Sequence, residues 1–183
     1  KRCEYPQLTV PWNVLINNGK RGSFLRGGAL LSNKFLLTFG RSQDWEKQNL
    51  KIEFGANHGK QVLDFDSNVE KIFPHGIDTN KTSLTLMKLK NPLTFTADIY
   101  SVYLPINISR EKILEVSSVL TGYRISNSST STKLIQGALM KTAKCSNIIK
   151  GEKSFYEKEG ILCASCDRVF YGGDKGDPMV YNG

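Results

Sequence analysis

The sequence predicts an all-β fold. Two observations carry that reading. Short runs rich in β-branched and aromatic residues recur at Leu50–Phe54, Gln61–Phe65, Val69–Phe73, Leu84–Leu89, Ser118–Tyr123 and Leu134–Met140. Turn signals separate them, at Asn17-Asn18-Gly19, Asn57-His58-Gly59 and Gly172-Gly173. Runs of this kind bounded by turn signals read as strands. An apolar content of 39% over 183 residues can supply a core for one domain or two small lobes. No stretch resembles a membrane span of about 18 or more apolar residues. Ser126–Thr132 is polar and reads as an exposed loop.

Charge is the next bound. Lysine and arginine number 25 against 17 acidic residues, a net charge of +8. The basic residues gather at Lys1-Arg2, Lys20-Arg21 with Arg26, Lys88–Lys90, Lys141–Lys144 and Lys150–Lys153. A basic surface attracts glycosaminoglycans, acidic lipid headgroups or acidic proteins. Nucleic acid is not the expected partner, because no aromatic residues interleave with the basic clusters to form stacking platforms. Four cysteines allow three full pairings. Cys163 and Cys166 have zinc-ligand spacing, but no second pair follows and the nearest histidine is remote, so no metal or other cofactor is expected. Acceptor sequons stand at Asn80, Asn107 and Asn127, each of which needs passage through the secretory pathway to carry sugar. No leader is visible at Lys1, which fits a mature or trimmed chain.

The most specific motif is Gly172-Gly173-Asp174-Lys175-Gly176-Asp177-Pro178-Met179. It resembles the Gly-Asp-Ser-Gly-Gly-Pro signature around the nucleophile of trypsin-like serine proteases, with Lys175 in the place of the serine. Two further segments align with the same family. Leu36-Leu37-Thr38-Phe39-Gly40-Arg41-Ser42 resembles the Leu-Thr-Ala-Ala-His-Cys segment, with Arg41 in the place of the histidine. Ser83-Leu84-Thr85-Leu86-Met87-Lys88-Leu89 resembles the strand opened by the orienting aspartate, with Ser83 in its place. Triad catalysis needs a hydroxyl, an imidazole that takes its proton, and a carboxylate that orients the imidazole. None of the three stands at its position, so the resemblance implies a pseudoprotease with no catalytic residues rather than an enzyme.

The resemblance runs along the chain. Val10-Pro11-Trp12-Asn13-Val14-Leu15-Ile16 is similar to the family's first strand, and Val69–His75 to the approach to the aspartate strand. Lys90–Pro105 is similar to the connection between barrels, and Leu120-Thr121-Gly122-Tyr123 and Gly160–Ala164 match later segments. It implies one domain over 1–183, a trypsin-like double antiparallel β-barrel. The first barrel falls at about 10–95 and the second at about 100–183, with a short helix over Cys145–Lys150. The second barrel is expected to be incomplete, because the family runs on past the strand that here ends at Val180-Tyr181-Asn182-Gly183. The absent part would come from another chain, have been cut away, or reflect a rearranged barrel.

The family's second-barrel bridge matches Cys145 and Cys163. Arg26 and Ser42 replace the pair that braces the histidine loop, and Tyr171 replaces the cysteine near the nucleophile. Cys3 and Cys166 have no family partners; they pair with each other, or Cys3 bonds to another segment or chain. Val169 falls at the floor of the specificity pocket, where it would not attract a basic side chain. Asp174 is kept, but no Ile-Val-Gly-Gly terminus exists to pair with it, and Asp177 brings negative charge beside any oxyanion.

The reading is a secreted, glycosylated, non-catalytic serine protease homologue. It would bind an extracellular protein, such as a protease of the same cascade, as cofactor, decoy or regulator in proteolytic or innate-immune signalling. Lys141, Lys144 and Val169 are the candidate binding residues. Two alternatives stand: a basic secreted protein that captures polyanions or microbial surfaces, and a residual serine-type endopeptidase using a Ser/Lys pair such as Ser83 or Ser42 with Lys175.

Overall fold

The computed structural model describes residues 4–5, 9–17, 25–40, 50–55, 69–75, 84–104, 106, 117–125, 133–143, 163–165, 176 and 178–181. Among them every regular element is a strand, as the sequence predicts. In chain order these are β1 (Glu4–Tyr5), β2 (Asn13–Asn17), β3 (Leu25–Leu30), β4 (Phe35–Phe39), β5 (Lys51–Phe54) and β6 (Val69–Pro74). There follow β7 (Leu84–Leu89), β8 (Ser117–Ile125), β9 (Lys133–Ala143), β10 (Cys163–Ser165) and β11 (Met179–Tyr181). The strand expected at Gln61–Phe65 and the helix expected at Cys145–Lys150 lie outside the described residues.

The first sheet is antiparallel and six-stranded, in the order β5-β2-β3-β4-β7-β6. Alternation decides which side chains reach its core. In β7, Thr85, Met87 and Leu89 are buried, while Leu84, Leu86 and Lys88 face outward. In β4, Leu36 and Thr38 point inward. The core gathers Val14, Ile16, Leu30, Leu36, Ile52, Phe54, Met87, Leu89 and Ile99. β2 escapes the alternation, because Leu15 on its other face is also fully buried where β2 approaches β8 of the second sheet. A strand buried on both faces reads as a continuous apolar run, as Val14-Leu15-Ile16 does.

β6 departs from regular alternation for a definable reason. Val69 pairs with Leu89 and Lys71 with Lys88, so Glu70 is an extra residue in a β-bulge. The bulge lets both Val69 and Ile72 pack against the core although they are three residues apart. It also places Glu70 and Lys71, neighbours in sequence, together on the exposed side.

The segment after β7 runs extended along the first sheet. Leu93 N–H donates to Asn33 O (2.7 Å), Tyr100 N–H to Pro11 O (3.0 Å) and Val102 N–H to Leu30 O (2.8 Å). This is the stretch read from sequence as the connection between barrels, and its backbone bonds fix it against β2 and β3.

The second sheet has five strands among the described residues, in the order β1-β9-β8-β11, with β10 also on β9. β8 and β9 pair along nine consecutive residues, Ser117 to Ile125. On its other side the long β9 receives β1 near Gly137–Ala138 and β10 near Lys141–Ala143. Among the described residues the all-β reading, with two antiparallel sheets, therefore holds. One element was not anticipated: Glu4–Tyr5 joins the second sheet. Two residues carry no period, so only their long-range pairing reveals them.

Candidate functional site

The three segments that the sequence reading aligns with the triad are brought together at the first sheet. β4 and β7 pair so that Thr38 faces Thr85 and Phe39 faces Leu84. Gly40, which precedes Arg41, accepts a hydrogen bond from Thr85 Oγ1 at 2.8 Å. Leu84 follows Ser83 directly in the chain. Gly176, which follows Lys175, lies against the same place: a Cβ on it would meet Gly27 O at 2.4 Å, Thr38 Oγ1 at 3.0 Å and Phe39 N at 3.2 Å. Thr38 Oγ1 in turn donates to Gly27 O at 2.7 Å. The residues flanking all three positions thus meet at one junction. Arg41, Ser83 and Lys175 themselves lie outside the described residues.

Thr38 and Thr85 hold this junction, and the sequence reading did not single them out. Both are buried polar residues, 2% and 0% exposed. A buried hydroxyl costs free energy unless it finds an acceptor, and each finds a backbone carbonyl from another segment. A usable signal existed. Each threonine stands at an inward position of a strand whose other inward residues are apolar, where a hydroxyl demands a long-range partner.

Arg26, read from the sequence as replacing a family cysteine, is half-buried in β3. Its Nη1 donates to Phe39 O at 2.8 Å, so a charge-assisted hydrogen bond ties β3 to the end of β4. The end of β4 is held here by a guanidinium. Replacing Arg26 by methionine keeps the apolar stem and removes the donor. The expected loss is about 1.5–3 kcal/mol, read as a lower urea midpoint with unchanged slope. Arg26→Lys should recover only part of it, because a lysine ammonium lacks the planar fork.

Next to the junction a wide cleft of about 1060 Å³ opens between the two sheets. Trp12, Leu37, Phe39, Leu84, Tyr100 and Met179 are among its walls, and no lysine, arginine or carboxylate lines it among the described residues. Tyr103 and Ile106 at its edge are 83% and 79% exposed. The described lining is mostly apolar, and its hydroxyls are those of Thr38, Thr96, Tyr100, Ser101 and Tyr103. Among the described residues no group of histidine, cysteine and carboxylate side chains could hold a metal ion.

The other residues singled out from sequence are placed unevenly. Cys163 opens β10 opposite Ala143 and is disulfide-bonded. Its partner lies outside the described residues, as do Cys3, Cys145 and Cys166. Lys141 lies in β9, opposite Ser117 of β8 and Ser165 of β10. Lys144, Val169, Asp174, Asp177, Asn80, Asn107 and Asn127 lie outside the described residues. His75, one of two histidines in the chain, is exposed just after β6, where its N–H donates to Leu84 O at 2.8 Å.

Comparison with known proteins agrees with this geometry. The family model described as Trypsin matches residues 2–183. Clotting factor C of Tachypleus tridentatus is 25% identical over 178 residues, covering 85% of this chain and 18% of the relative. Limulus clotting factor C of Carcinoscorpius rotundicauda is 29% identical over 144 residues, covering 74% of this chain and 12% of the relative. The chain therefore spans less than a fifth of the length of these curated relatives. Among solved structures, the scabies mite inactivated protease paralogue S-D1 superposes with a TM-score of 0.72 at 18% identity, over 97% of this chain and 80% of that one. Neuropsin, a serine protease of mouse brain, gives 0.68 at 20% identity, over 94% and 78%. At these identities the two structures speak for the fold.

Proposed function

Because the chain belongs to the trypsin family of serine proteases, we propose that it has lost peptide hydrolysis and works by binding. Its role would be that of a cofactor, decoy or regulator in an extracellular proteolytic cascade, of the kind to which its clotting-factor relatives belong by name. One observation carries the reading: arginine, serine and lysine occupy positions 41, 83 and 175, where this family's chemistry requires an imidazole, a carboxylate and a hydroxyl. The ammonium of a lysine cannot replace the serine hydroxyl as the group that attacks a carbonyl. A guanidinium stays protonated at every working pH and cannot act as the general base.

The packing supports the alignment on which that observation rests. Leu84 opposes Phe39, Thr85 bonds Gly40, and Gly176 abuts Thr38. A register slip that would bring another residue into a triad role must break these contacts. The apolar cleft beside the junction supplies a surface for a protein partner without requiring catalysis.

Covalent labelling tests the proposal. A fluorophosphonate probe reacts with activated serines, and active trypsin serves as the positive control. The expected result is no adduct on this protein at neutral or mildly alkaline pH, and no turnover of peptide esters. An adduct on any serine, mapped by mass spectrometry and abolished by alanine substitution at that serine, overturns it. Ser83 and Ser42 are the serines to inspect first.

A further inference from the structure

The geometry points to a polyanion-binding site on the outer face of the first sheet, a stripe of lysines across β4, β7 and β6 that takes a sulfated polysaccharide. This is separate from the junction and the cleft, and it does not depend on whether the chain hydrolyses peptides.

Four lysines form the stripe. Lys34 immediately precedes β4, and its carbonyl accepts from Leu89 N–H at 2.9 Å, between Lys88 and Lys90 of the neighbouring strand. Lys88 projects outward from β7 and stands directly opposite Lys71 of β6. Lys90 is exposed just after β7. Three adjacent strands at their usual spacing set these ammonium stems across roughly 10 Å. Like charges placed directly opposite are unfavourable in an antiparallel pair. A single carboxylate answers them: Glu70 is the only acidic residue described on these three strands and their flanking lysines.

The bulge in β6 puts Glu70 there. It turns Glu70 to the same side as Lys71, and Lys88 Nζ reaches Glu70 Oε1 at 2.7 Å. The hydrogen bond from Lys88, followed by the charges of Lys88, Lys34 and Lys71, holds the Glu70 carboxyl below its ordinary range. Lys71 Nζ lies 5.0 Å from the centroid of the half-exposed Phe73 ring, which keeps it on the outer face. Among the described residues, four cations and one exposed anion leave a surplus of three positive charges, held in place by backbone pairing.

The same features select the class of partner. Among the described residues β6 stands at the end of its sheet, and its bulge, Lys71 and Pro74 oppose addition of another strand, so an acidic peptide gains little from backbone pairing. Lysine ammoniums are point charges without the fork that suits planar carboxylates. What remains is attraction to a chain of recurring, permanently ionised groups. A polysaccharide with stiff sugar rings also loses less conformational freedom on binding than a flexible peptide. Glu70 competes with the ligand for Lys88, so it weakens binding rather than assisting it.

The test measures affinity for size-defined heparin oligosaccharides by calorimetry at low and physiological salt. The intact protein should bind, and more weakly as salt rises. K71E/K88E should weaken binding about tenfold or more. The same reversal of charge at Lys141 and Lys144 should weaken it markedly less, and E70Q should tighten it. K71A/K88A repeats the first arm without introducing new charge, and circular dichroism checks each fold. Absence of binding by the intact protein overturns the site, as does unchanged affinity in both Lys71/Lys88 variants. Equal losses from the two pairs of reversals replace it with diffuse attraction by net charge. Equal affinity for polyglutamate, or for desulfated heparin, overturns the choice of partner.

Discussion

Gly176→Ala is expected to cost about 3–6 kcal/mol of stability. Two effects combine. The glycine has φ of 87°, a conformation that costs a residue with a Cβ about 1–2 kcal/mol. The new methyl would also sit 2.4 Å from Gly27 O and 3.0 Å from Thr38 Oγ1, both held in the hydrogen bond that closes the junction. Backbone cannot yield as a flexible side chain can, so overpacking adds about 1–3 kcal/mol and weakening that bond about 1 kcal/mol more. A urea titration reads the loss as a lowered midpoint, and hydrogen exchange should show weakened protection at β3 and β4. A loss below about 1 kcal/mol would mean that Gly176 does not pack against Gly27, and the junction would have to be redrawn.

Phe54→Ala is expected to cost about 3–5 kcal/mol as well, by a different mechanism. Phe54 is fully buried in the core of the first sheet, opposite Val14. Truncation removes a ring from water-free contact and leaves a cavity that the paired strands cannot collapse into. With total stabilities of 5–15 kcal/mol typical of domains, such a loss is a large share of the whole. Phe54→Leu, which keeps most of the volume, should cost less than half as much. An unchanged midpoint, with exchange protection lost only over Lys51–Phe54, would show that β5 frays independently and is not part of the cooperative core.

These two expectations differ in what could be read beforehand. Phe54 ends a run with clear β character, and its burial follows from that run. Gly176 was visible as the residue after Lys175 in a recognisable motif, but a motif does not state which carbonyl the backbone must pass. The strands at Val69–Pro74 and Leu84–Leu89 lie close to their expected bounds because local composition and turn signals delimit them. β1 was missed because two residues have no pattern. The bulge at Glu70 was missed because it exists only relative to a partner strand. Thr38 and Thr85 passed unnoticed because threonine is an ordinary strand residue until its hydroxyl is found buried. Arg26 was legible as a missing cysteine, whereas its bond to Phe39 O required the pairing of β3 with β4.

By itself, the order of residues determined the all-β class, the kinship with serine proteases, and the identity of the side chains at positions 41, 83 and 175. All of these are properties of local composition and of motifs read along the chain. Folding alone decided that Gly40, Leu84 and Gly176 converge, that an apolar cleft lies between the sheets, and that, among the described residues, Lys34, Lys71 and Lys88 gather around the Glu70 carboxylate. The physical reason is that strand pairing joins residues far apart in the chain through backbone hydrogen bonds that any residue but proline can make. Its outcome is set by which register buries the most apolar surface and leaves the fewest polar groups unpaired.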